Sequence, residues 1–200
     1  MTYGIDRIVA HLPSMAPDET ITLWRNAIRM LNNPSKQHRH QDARRLIKAI
    51  GAEWDRRRKQ GLSASDAFRW PSTEANGGCG NMRTDDWLKE GVFALMGYKV
   101  GNVAGEIARV RQGILSEIFS GPIPPFFPPQ HLLEWGTPGS VLRLKKMAES
   151  IAAFTRNGKR RRDSKMVAAV RDWENDLEFL YQRYYVGKFK FAWPTTDIGL

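Results

Sequence analysis

The stretch Ser164–Tyr185 reads SKMVAAVRDWENDLEFLYQRYY. Met166, Val170, Trp173, Leu177, Leu180 and Tyr184 recur at alternating steps of four and three. That spacing gathers side chains on one face of an α-helix, so a helix is expected over 164–185. Val186-Gly187-Lys188 then turns the chain. Beyond it Phe189, Phe191 and Trp193 alternate with polar or small residues, which predicts a short extended hook with its rings on one side.

The same period recurs upstream. Pro17-Asp18-Glu19-Thr20 suits a helix start, with proline in the first turn and acids beside the positive end. Ile21, Trp24, Ile28 and Leu31 continue the stripe until Asn32-Asn33-Pro34 stops it. Ser35 is the expected cap of a second helix, with Ala43, Leu46, Ile47, Ile50 and Trp54 inward and Gly61 as terminator. A third is expected from Thr84 or Asp85 to about Met96. A fourth spans Val103 to Phe119, on Val103, Ile107, Val110, Ile114, Leu115 and Ile118. A fifth is capped by Ser140, carries Leu142, Leu144, Met147, Ile151 and Phe154, and is broken at Asn157-Gly158. The expected fold is mainly α: an orthogonal bundle of six to seven helices, with extended aromatic hooks around 68–71 and 189–194.

Between helices lie two other kinds of chain. Residues 61–83 read as loop, with Asn76-Gly77-Gly78-Cys79-Gly80 in their middle. They suggest a division into an N-terminal helical subdomain, 1–75, and a C-terminal one, 76–200, the alternative being one compact domain. Residues 121–129, GPIPPFFPP, hold five prolines and read as an extended linker. Either they stiffen a spacer or dock in a partner's groove, and Phe126-Phe127 favours packing on the protein itself. The segments FRWPST (68–73) and FAWPTT (191–196) echo one another. Chance resemblance of two aromatic anchors competes with duplication, since no established repeat length appears.

The chain has 200 residues, enough for a substantial core, with 42% hydrophobic residues. Its formal charge is +10. Residues 36–69 hold ten Lys/Arg against four Asp/Glu, and residues 143–165 nine against two, so the excess is confined to two blocks. Each block contains a string of cations: Arg56-Arg57-Arg58-Lys59, and Lys159-Arg160-Arg161-Arg162. Like charges this close repel, and a polyanion or solvent relieves them. One cysteine, Cys79, excludes an intrachain disulfide. No run approaches the roughly 20 apolar residues of a membrane span, and the first eleven residues carry Asp6 and Arg7 in place of a signal-peptide run. A cytoplasmic protein is expected, or a nuclear one in a eukaryotic cell.

Motifs for catalysis are sparse. His38 and His40 fall on different sides of a helix, and His11, His131 and Cys79 lack spaced partners, so no metal site or other cofactor is expected. Asp85, Asp86 and Glu90 are acids that a metal-dependent nuclease needs, but they also suit a helix N-terminus. Residues 87–118 have a helix-turn-helix outline in which Lys99, Arg109 and Arg111 would meet DNA. The apolar start of the second helix argues instead for an ordinary helical hairpin. Charge therefore carries the functional expectation. It is a non-enzymatic nucleic-acid-binding protein that holds phosphates of DNA or RNA through Arg44, Arg45, Lys48, Arg56, Arg57, Arg58 and Lys59, and through Lys159, Arg160, Arg161 and Arg162. Second comes an adaptor or assembly component docking acidic protein partners, and third the metal-dependent nuclease.

Overall fold

The computed structural model describes residues 3–60 and 91–198. Among them the protein is mainly α, with eight α-helices and no strand. These are α1 (Tyr3–His11), α2 (Pro17–Leu31), α3 (His40–Lys59), α4 (Val92–Leu95), α5 (Ala108–Ser120), α6 (Pro129–Trp135), α7 (Val141–Arg161) and α8 (Val167–Leu180). The chain forms two compact units: Met1–Leu95 with Pro122–Leu132, and Met96–Gly121 with Leu133–Leu200. Helices α1 and α6 bring the number above the six or seven expected. The glycine-rich loop, the first hook, and the expected helix before Gly91 lie outside the described residues.

In the first unit α2 packs on α3, and α1 on α3. Helix α2 starts where proline and acids predict: Pro17 opens it, and Glu19 Oε2 accepts the Ala16 N–H at 2.8 Å. Trp24 of α2 and Trp54 of α3 are buried, and Phe126 meets their rings edge-on at centroid distances of 5.6 and 5.1 Å. Trp54 Nε1–H donates to Thr20 Oγ1 at 3.1 Å, and that hydroxyl donates to Pro17 O at 2.6 Å. Each of these aromatics stabilises the unit by roughly 1.5–3 kcal/mol through its burial. The proline segment is thus packed on its own protein, and it stays non-helical until Pro129 opens α6.

Ser35 does not cap α3. Asn33 Oδ1 accepts the Ser35 N–H at 3.0 Å, and Pro34–Arg39 forms a 3-10 segment interrupted at Lys36 (φ −106°, ψ 22°). The α-helix begins only at His40. Asn33 takes the capping role two residues earlier, so the chain needs an extra tight turn before α3.

In the second unit α8 packs on α7 and α5. Leu144, Met147, Ile151, Ile114, Leu115, Ile118, Leu177 and Leu180 are buried. Helix α5 starts at Ala108, and Val103 and Ile107 are solvent-exposed rather than part of its stripe. The reason is a turn closed by Gly105 N–H on Gly101 O (3.1 Å) and Glu106 N–H on Lys99 O (3.1 Å). A side chain at Gly105 would meet Gly101 O at 2.0 Å, and Gly101 sits at φ +90°. Only glycine fits this pair of positions.

Ser140 does cap α7, accepting the Arg143 N–H at 3.2 Å. The helix then runs through Asn157-Gly158 to Arg161. A Cβ on Gly158 would lie 2.8 Å from Val170 Cγ2 and 3.1 Å from the Trp173 ring. Gly158 is there for close approach of α7 to α8, and Arg162 ends the helix in the left-handed region (φ 49°). The predicted helix over 164–185 is present in three parts: a 3-10 turn at Ser164–Met166, α8, and a π-helical turn at Tyr181–Tyr185.

Candidate nucleic-acid interface

Helix α3 turns its apolar stripe inward and leaves Gln41, Arg44, Arg45, Lys48, Ala52, Asp55 and Lys59 on the solvent side. From Arg44 to Lys59 that face is about 22 Å long at 1.5 Å per residue. Arg45 is ion-paired with Asp6 of α1. Lys48 and Lys59 meet no carboxylate among the described residues.

The first cation string is largely committed to the fold. Arg57 is 6% exposed. Its Nε donates to Glu53 Oε1 at 2.7 Å, and its Nη2 to Leu12 O and Met15 O, both at 2.8 Å. Arg56 places Nη2 2.7 Å from Glu53 Oε1 and Nε 2.8 Å from Oε2. These donors hold Glu53 ionised: the Arg56 hydrogen bond is the largest cause of a carboxyl pKa lowered to about 2, and the bond from Arg57 adds to it. Arg58 pairs with Asp55 at 3.0 Å and donates to Pro125 O at 3.3 Å. Arg57 is therefore an internal strut between α3 and the turn after α1. Of this string only Lys59 is exposed and unengaged among the described residues.

The second string is more open. Lys159 bonds Glu174 Oε1 at 2.6 Å and Thr196 O at 3.1 Å. Arg160, Arg161 and Arg162 are exposed, and none meets a carboxylate among the described residues. They close the last turn of α7, where the helix dipole favours positive charge.

Two further arginines contribute to the sequence charge and are buried. Arg111, a candidate in the helix-turn-helix outline, is buried against Asp176, with Asp172 at 3.3 Å. Arg143, which belongs to the second basic block, is 2% exposed and has no carboxylate partner among the described residues. Its guanidinium donates to four carbonyls: Ile118 O (2.6 Å), Gly136 O (2.7 Å), Trp135 O (2.9 Å) and Gly121 O (3.2 Å). Those oxygens lie at the ends of α5 and α6, so one cation satisfies two helix C-termini. Burial lowers its pKa to about 10, still charged at neutral pH.

Asp85, Asp86, Glu90 and Cys79 lie outside the described residues. Among the described residues no three His, Cys, Asp or Glu side chains gather as a metal site needs, and no helix is long and apolar enough to cross a membrane. Neither a family model, nor a curated protein, nor a solved structure matches this chain.

Proposed function

We propose that this is a non-enzymatic nucleic-acid-binding protein that grips the phosphate backbone with exposed cations. One surface is the outer face of α3, with Arg44, Arg45, Lys48 and Lys59. The other is the end of α7, with Arg160, Arg161 and Arg162. The observation that carries this is the second: three consecutive exposed arginines with no matching carboxylate among the described residues. Unneutralised guanidinium groups at one helix end make a focused positive field, which favours association with a polyanion. Arg57 has no place in the interface, and Arg56 and Arg58 are secondary to it.

The test is a gel-shift titration against DNA and RNA at rising salt. Each phosphate contact contributes about 0.9 to the slope of log affinity against log salt on duplex DNA, so replacing Arg160, Arg161 and Arg162 by Gln is expected to reduce that slope by about 3. Absence of binding to any nucleic acid at low salt ends the proposal. Salt-sensitive capture of an acidic protein after nuclease treatment would favour the adaptor instead.

A further inference from the structure

Four aromatic side chains meet at the end of the second unit and none of them is buried. Tyr181 and Tyr185 stack across the π-helical turn, with centroids 5.1 Å apart and planes 25° from parallel. Gly187, at φ +74°, folds the chain back. Phe191 then lies 4.9 Å from Tyr185, and Trp193 lies 4.8 Å from Tyr185 and 5.2 Å from Tyr181. Phe191 and Trp193 are themselves 5.8 Å apart and within 30° of parallel. The Tyr185 hydroxyl donates to Phe191 O and fixes the hook against the turn. All four rings keep part of their surface in solvent. Rings that served only to pin the chain end would gain more by full burial, and four half-buried rings gathered at one place offer a surface on which something can bind.

The surroundings say what. Residues 154–162 and 181–193 together hold eight Lys/Arg and no Asp or Glu. The hook is tied to α7 by two of those cations: Arg156 donates to Thr195 O at 2.5 Å, and Lys159 to Thr196 O. This places Trp193 within a few residues of the helix end that carries Arg160, Arg161 and Arg162. Lys188 and Lys190 are exposed along the hook itself, and Lys188 donates to Arg183 O at 3.3 Å. Of the nearby carboxylates, Glu174 is taken up by Lys159, Asp197 accepts the Thr195 hydroxyl, Glu178 accepts the Gln182 side-chain amide and Asp163, beside Arg162, accepts the Lys165 N–H. Tyr181–Tyr185 forms a π-helical turn at the C-terminal end of α8, and such turns are frequent at functional sites. Its Tyr181 and Tyr185, four residues apart, face the hook together.

Partly exposed rings with exposed cations around them suit a chain with flat faces and a charged backbone. We infer that Tyr181, Tyr185, Phe191 and Trp193 form a stacking platform for unpaired bases, with the cations of α7 and the hook holding the adjoining phosphates. The ligand class is then single-stranded nucleic acid, because bases in an intact duplex do not present their faces. This rests on the nucleic-acid reading above and narrows it.

The experiment is fluorescence anisotropy with the full chain, using labelled homopolymeric single strands of about 16 nucleotides, DNA and RNA, beside a duplex of equal length. Single strands are expected to bind more tightly than duplex. Trp193→Ala should weaken single-strand binding about 5- to 150-fold, the equivalent of roughly 1–3 kcal/mol of stacking. Duplex affinity and the salt slope should not change. Trp193→Phe should retain most of the affinity, since it keeps a stacking face. Trp193→Leu keeps apolar volume without that face, so it should behave as the alanine variant does even if alanine loosens the hook. Equal affinity for both forms, or equal weakening of both by Trp193→Leu, overturns the platform and leaves the phosphate-binding reading standing. No binding of either form at low salt overturns both.

Discussion

Nε of Arg111 lies 2.7 Å from Oδ2 of Asp176, and both side chains are closed off from solvent. The Tyr98 hydroxyl donates to the same oxygen at 2.7 Å, and Asp172 accepts the Gly101 N–H at 2.9 Å. Burial pushes the Asp176 carboxyl up, against the lowering effect of its bonds from Arg111 and Tyr98. Burial also pushes the Tyr98 phenol well above its usual range. Removing one partner leaves a buried charge without compensation. Asp176→Ala or Arg111→Met is expected to cost about 3–5 kcal/mol, and the double variant clearly less than the sum. Urea unfolding of the four proteins measures this. Additive losses would mean that the two groups are not coupled.

Glu53 makes stability depend on acid in a definite direction. Its pKa falls from 4.5 unfolded to about 2 in the fold. The stabilisation is therefore complete above about pH 4.5 and is lost as the pH falls toward 2. Since Arg56 is itself partly exposed, the loss is expected to be on the order of 2 kcal/mol rather than the full equivalent of the shift. Asp176, shifted upward, acts in the opposite sense, so the comparison is between wild type and Glu53→Gln. The variant should be less stable at neutral pH and should lose less between pH 4.5 and 2. Parallel curves over that interval would contradict the pairing.

Two helical glycines should respond with opposite signs. Gly158→Ala forces a methyl against Val170 and Trp173, and overpacking of this kind costs about 1–3 kcal/mol. Gly113 of α5 is exposed, with nothing within 4 Å of an added Cβ. Gly113→Ala should therefore stabilise by roughly 0.5–1 kcal/mol through helix propensity. Thermal unfolding checks both. A neutral Gly158→Ala would show that α7 and α8 can separate without loss.

Periodicity made the helices legible because their cores are stripes: α2, α3, α7 and α8 each follow one. It failed where a residue's role is set by another element. Gly158 looks like a helix breaker in sequence, and only the proximity of Trp173 makes it a packing site. Val103 and Ile107 fit the α5 spacing, yet a glycine turn bonded to itself removes them from the helix. Charge runs showed where cations are dense but not which ones face outward. Arg57 is drawn inside by carbonyls 42 and 45 residues away, and no local signal announces that. The aromatic group at 181–193 was half legible: the alternation of Phe189, Phe191 and Trp193 is in the sequence, but the fold-back at Gly187 that lays Phe191 and Trp193 against Tyr181 and Tyr185 is not.

Arg143 gives the most direct test of how far basic residues in this chain serve the fold. Its planar guanidinium reaches four carbonyls from the ends of two helices at once. Lysine keeps the charge but has a single ammonium with three donors, and it cannot span that fork. Arg143→Lys should therefore lose two or more bonds to buried carbonyls, at about 1–3 kcal/mol for each acceptor left unsatisfied. The net charge of the protein is unchanged by the substitution. Nucleic-acid affinity at a temperature where the variant is folded should then equal that of wild type, while the unfolding midpoint in urea falls. A variant of normal stability and weakened binding would instead place Arg143 among the ligand-facing cations.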